Sequence, residues 1–240
     1  MKRAFLLEMT IFRDYARQLV GLGLLVSLCI GLGMQTPLAM PATLTCMFFM
    51  MSAMGLAAYD QLNHWELFRL TLPLSRRDVV LGRYAAIVTL GLIGTVVGVA
   101  ASLAVMGVAS VVELPGGISE SLALNGDRLT GMAIATAVCI LIGSLVASVV
   151  SPVYFKFGQT KATQLLPTVI VILFVTPLII LGNSGVLSGE ADLGSVTDFL
   201  AFLETPLGTA VGIAALLGAS AALLAASAAV SLRLYAKREL

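Results

Sequence analysis

Six apolar runs dominate this chain, near residues 18–34, 38–58, 84–111, 129–151, 165–182 and 207–231. A helix needs about 20 predominantly apolar residues to cross the hydrocarbon core of a bilayer. In lipid, every backbone amide must also find its partner inside the segment or its bundle. Each run is therefore expected to be a transmembrane α-helix, and residues 1–240 a single all-α integral membrane domain. Composition agrees, with 59% hydrophobic and 11% charged residues, where a soluble domain carries about 25% charged.

The basic residues orient the chain. With the N-terminus in the cytoplasm, Lys2, Arg3, Arg13, Arg17, Arg69, Arg76, Arg77, Arg83, Lys156, Lys161, Arg233, Lys237 and Arg238 all fall on that side, thirteen of fourteen, leaving Arg128 outside. The outer loops hold Glu113, Glu120, Asp127, Glu190, Asp192, Asp198 and Glu204. Lys and Arg bias sets membrane topology, so both termini are expected to be cytoplasmic. The six runs hold no central charged residue. Such residues mark proton and ion paths in self-sufficient carriers, so the pattern points to energy arriving from elsewhere.

Residues 1–17 do not read as a signal peptide, because Glu8, Arg13, Asp14 and Arg17 interrupt any apolar core. Phe5, Met9, Phe12, Ala16 and Leu19 step by three and four, with Arg3, Thr10, Arg13, Asp14 and Arg17 largely opposite. That pattern predicts an amphipathic helix lying in the headgroups ahead of the first span.

The longest polar interruption is Tyr59–Tyr84, YDQLNHWELFRLTLPLSRRDVVLGRY, between the second and third runs. Asp60 is expected to cap a short helix over 60–71, whose apolar face is Leu62, Trp65 and Phe68. Pro73 ends it, lacking an amide hydrogen. Ser75 and Asp78, three apart, predict a capping-box start for the helix that enters the third span. Two readings of this element stand. It lies on lipid headgroups with Arg76 and Arg77 as anchors, or it docks a soluble partner.

This segment resembles the loop between the second and third helices of bacterial ABC-2-type transporter permeases. The resemblance rests on Leu72-Pro73-Leu74-Ser75-Arg76-Arg77, then Val79-Val80-Leu81, then Arg83-Tyr84, with the number and spacing of runs. It implies a six-helix permease that pairs with a second permease subunit, as homodimer or related heterodimer, and works with a separate ATP-binding subunit that holds ATP and magnesium. It further implies that the interruption is a coupling helix. The residues expected to meet the ATP-binding subunit are Asp60, Leu62, His64, Trp65, Glu66, Phe68, Arg69, Pro73, Ser75, Arg76, Arg77 and Asp78.

Small residues mark expected helix packing. Gly94 and Gly98 have the GxxxG spacing that lets backbones approach, and Gly212 and Gly218 sit in a sixth run rich in alanine. Such rows serve packing within one subunit or an interface between two. Gln35-Thr36-Pro37 predicts a tight turn, Pro152–Gln164 a short cytoplasmic loop with Tyr154, Phe155 and Phe157 as partner contacts or headgroup anchors, and Ser195–Leu203 a short outer helix.

Enzymatic chemistry finds little support. No GxxxxGK[ST] occurs, so no P-loop is expected. One His and three scattered Cys give no metal-ligand spacing. Gly182-Asn183-Ser184-Gly185 has the GxSG form of intramembrane serine proteases, but its only candidate base, His64, falls on the opposite side. The reading reached is the permease subunit of an ATP-binding cassette exporter for an amphipathic, peptide or lipid-like substrate, without its own ATPase. The alternative is a non-transporting anchor or sensor of a peptide-resistance or signalling complex.

Overall fold

A computed structural model describes residues 2–62, 75–111, 122, 125–183 and 205–236, with side chains over the same residues except 61–62, 158–178 and 180–183. The expected helix over 60–71 beyond residue 62, the corner at Pro73 and the outer helix near Ser195 lie outside them. Among the described residues every regular element is helical: α1 Lys2–Gly33, α2 Ala39–Leu62, α3 Arg76–Val111, α4 Gly126–Asn183 and α5 Pro206–Ala236. Five helices among them are long and apolar enough to cross a membrane.

Two boundaries differ from expectation. The separate interfacial helix over 1–17 is instead the first half of α1, a single helix of 32 residues. No proline or capping residue separates Arg17 from the apolar run, and the helix has no reason to stop there. At about 1.5 Å per residue α1 is about 48 Å long, so it overshoots a hydrocarbon core of about 30 Å. Its apolar stripe faces protein rather than headgroups: Phe12 and Leu19 are buried, and Phe5, Met9 and Ala16 pack on the core.

The second difference is at 152–164, expected as a loop and found as helical backbone inside the 58-residue α4. Pro152 removes one amide donor without ending the helix, a loss that neighbouring groups make tolerable in membrane bundles. Tyr154 and Phe155 are buried in the bundle, not presented at its surface. The backbone of 165–182, expected as a separate span, continues α4. The helical path comes to about 87 Å, longer than one crossing requires.

The turn after α1 is closed by its own backbone. Thr36 donates to Gly31 O at 3.0 Å and Gln35 to Leu32 O at 3.2 Å, while Gln35 takes a positive φ of 50°. This is a Schellman closure with glutamine where glycine is commoner, and Pro37 follows where a helix cannot continue. Ser102 on α3 donates to Pro37 O at 2.9 Å and fixes the turn to the bundle.

The core is built around aromatic rings set against glycines. The Phe49 ring of α2 lies between Gly91 of α3 and Gly143 of α4, where a side chain at either glycine would overlap it. Phe12, Leu56, Ile87, Leu90, Val146 and Val150 complete a cluster shared by α1, α2, α3 and α4. Dispersion, not water exclusion, holds such a core against lipid, so close fit matters more than apolar character.

Candidate functional site: the charged end of the bundle

The residues flanking segment 63–74 gather at the end of the bundle where α1 and α3 begin and α2 and α5 finish. Ser75 caps α3 as its spacing predicts. Its hydroxyl accepts from the Asp78 amide at 3.1 Å and donates to Asp78 Oδ2 at 2.9 Å, and the Val79 amide reaches Ser75 O at 3.1 Å. The start of α3 is thus set locally by a few residues.

Arg76 reaches across to α5. Its Nη1 donates to the carbonyls of Tyr235 and Ala236, both at 3.1 Å, with its guanidinium 5.9 Å from the Tyr235 ring centre. The last carbonyls of a helix have no partner within it and carry the negative end of its dipole. Arg76 therefore ties the start of α3 to the last described turn of α5. Arg77 beside it is exposed.

Arg83 lies two turns further along the same face of α3 and is buried. Its Nη2 donates to Glu8 Oε1 at 3.3 Å and to Asp60 Oδ2. Side-chain exposure is 5% for Arg83, 3% for Glu8 and 18% for Asp60. The guanidinium sits 5.4 Å from the ring centre of Phe155 on α4, and Phe155 packs edge-on against Tyr235 at 5.3 Å. Charges taken this far from water persist only when paired, so one guanidinium ties α1 to both α2 and α3. Asp60 is consequently not the N-cap expected of it. It sits near the end of α2, and its carboxylate is engaged with Arg83.

Next to this cluster α1 and α3 touch backbone to backbone. A Cβ at Gly82 would lie 2.9 Å from Ala4 Cβ and 3.1 Å from its carbonyl carbon. Two residues on, the Tyr84 hydroxyl bonds Ser227 Oγ at 2.6 Å and Ser231 Oγ at 2.9 Å, and Ser227 Oγ donates to Ser148 O at 2.6 Å. Hydroxyls link α3, α5 and α4 in this way, as ions link α1, α2 and α3.

Of the residues expected to meet a partner, Asp60, Ser75, Arg76, Arg77 and Asp78 lie at this end, and Leu62 is the last residue of α2. His64, Trp65, Glu66, Phe68, Arg69 and Pro73 fall outside the described residues. Glu8, Arg83 and Tyr84 were not singled out as a site by sequence. A usable signal existed: Glu8 falls between Ala4 and Phe12 at four-residue steps, a carboxylate in line with a buried stripe. Such a residue calls for a cation on a neighbouring helix.

The packing glycines separate into two kinds. A Cβ at Gly94 would meet Phe48 at 2.5 Å, and one at Gly98 the Pro41 backbone at 2.7 Å. Gly212 is half-buried. Gly218 is exposed, and a Cβ added there would meet nothing within 4 Å, so it packs no helix among the described residues. At the far end, an open cleft of about 1090 Å³ lies between the starts of α4 and α5. Ile134, Ala210 and Ile213 line its walls, with Asp127, Thr130 and Thr209 among its polar groups.

Membrane-length helices in a bundle with one basic end define a multi-pass helical membrane protein. The family model described as ABC-2 family transporter protein matches residues 6–236, and the chain belongs to that family. It is a transport-related membrane subunit of the permease type, a type that in general works with an ABC ATPase and is itself generally non-enzymatic. No curated protein and no solved structure matches the chain.

Proposed function

We propose that this chain is the permease subunit of an ATP-driven exporter in a bacterial cytoplasmic membrane, and that segment 63–74 docks the ATP-binding subunit. The observation that carries this reading is the anchoring of both ends of that segment. Asp60 before it is bonded to Arg83 after it, and Ser75 closes the return into α3. A segment held at both ends on membrane helices can pass a push into the bundle. The thirteen-to-one distribution of basic residues favours the cytoplasm for this end, where ATP is hydrolysed. ATP and magnesium belong to the partner subunit.

The absence of a central charged residue from the apolar runs supports an amphipathic, peptide or lipid-like cargo. The exposed small-residue face of α5 supports pairing with a second permease subunit. Trp65→Ala tests the docking. Buried aromatic anchors commonly dominate interfaces, and the expected loss of association is about 2 kcal/mol or more, read by co-purification of the ATP-binding subunit and by the ATPase rate of the reconstituted complex. Wild-type values for both, in a normally inserted protein, would make the segment a headgroup anchor instead.

A further inference from the structure

The Glu8–Arg83–Asp60 cluster is more than the fold requires of a bundle end. Two carboxylates, one from α1 and one from α2, converge on one buried guanidinium from α3, where apolar side chains would pack with no ionic desolvation to offset. Their positions in the chain are specific. Asp60 is two residues before the last described residue of α2, Arg83 is two turns into α3, and segment 63–74 joins those helices in the chain. Glu8 brings in α1, whose backbone meets α3 at Ala4 and Gly82 one turn away. Phe155 of α4 covers the guanidinium. Left unfastened, the ends of α2 and α3 could spread or slide when the segment between them is pushed, and the displacement would be absorbed there.

We propose that Arg83 is a positioning residue that holds Glu8 and Asp60 together, making the ends of α1, α2 and α3 one rigid unit, so that displacement of segment 63–74 moves all three helices at once. The proposal rests on the docking reading above and adds a route through α1, which that reading does not involve. A merely stabilising ion cluster would lower thermal stability when broken but would leave the relative motion of the helices through the nucleotide cycle unspecified.

The test uses the full chain in nanodiscs, alone and with a co-purifying ATP-binding subunit, with Cys29, Cys46 and Cys139 replaced by alanine. Spin labels go on two exposed positions away from the cluster, Arg17→Cys on α1 and Leu92→Cys on α3. In the otherwise wild-type complex, the interlabel distance should keep one narrow distribution with and without Mg-ATP and vanadate. Glu8→Gln and Asp60→Asn, which keep side-chain volume, should broaden it, and Glu8→Asp should restore it. Glu8→Gln, which lies outside the residues expected to meet the ATP-binding subunit, should still bind it while its ATPase rate falls about fivefold or more, the lower range of coupling between sites. A distance that shifts between nucleotide states in the wild type, or a Glu8→Gln variant that keeps both the narrow distribution and the ATPase rate, would overturn the proposal. The broadening on the isolated chain needs no partner. Failure of docking, seen with Trp65→Ala, is therefore distinguishable from failure of the rigid unit.

Discussion

The first three helices and α5 are held to the bundle by different physics. The ends of α1, α2 and α3 are joined by a buried ion cluster and a backbone contact at Gly82. α5 packs along α4 and is joined to α3 by hydroxyls, Ser227 and Ser231 against Tyr84, and by Arg76 on the carbonyls of Tyr235 and Ala236. The buried share of the membrane span is 44% for α2 and 11% for α5. Breaking an ion pair removed from water is costly, since losing one partner strands the other. Hydroxyl bonds contribute less each and fail singly. The chain thus has a stiff side flanking segment 63–74, and an α5 side that packs along α4 and leaves a broad exposed face for lipid or another subunit.

The largest test of this contrast is Arg83→Ala. It leaves Glu8 and Asp60 buried without their cation, and the expected loss is about 3–5 kcal/mol, measured by thermal or denaturant unfolding in detergent. Adding Glu8→Gln and Asp60→Asn should recover part of it by removing the stranded charges. A loss below about 1 kcal/mol, the range of a surface pair, would erase the distinction between the two sides.

Next comes Gly98→Leu on the stiff side. Bulk placed against the Pro41 backbone cannot be relieved by a rotamer change, and overpacking of this kind typically costs about 1–3 kcal/mol. Unchanged stability would mean that α2 and α3 part freely at this contact. On the α5 side, Tyr84→Phe removes the hydroxyl that meets Ser227 and Ser231, and the expected loss is about 1 kcal/mol. A loss as large as that of Arg83→Ala would show that α5 is as firmly fastened as the other helices. The smallest effect belongs to Gly218→Leu, which should leave the stability of the single chain unchanged because its neighbourhood is open. If the same variant abolished cross-linking between two permease copies, the exposed face of α5 would be their interface.

Membrane-length helices, the start of α3 at Ser75 and the turn at Gln35-Thr36-Pro37 were all legible in sequence. Each depends on a run of apolar residues or on a few neighbours along the chain. The boundaries that misled were those where packing overrode local grammar. A polar stretch over 1–17 suggested a separate helix, yet Phe12 and Glu8 both found partners in the bundle and α1 continued. Tyr154 and Phe155 suggested a loop with partner contacts or headgroup anchors, yet their rings fill space inside the bundle.

By itself the sequence determined that this is a helical membrane protein, and it carried the motif that resembles its family. Hydropathy and charge bias act through the solvent, residue by residue, and need no knowledge of neighbours. Only the tertiary structure decided that Glu8, Asp60 and Arg83 meet. They are 52 and 23 residues apart along the chain, and read singly each is an ordinary charge near a membrane surface. Their joint burial is a property of three helices packed together, because a charge can leave water only where another helix supplies its counterpart.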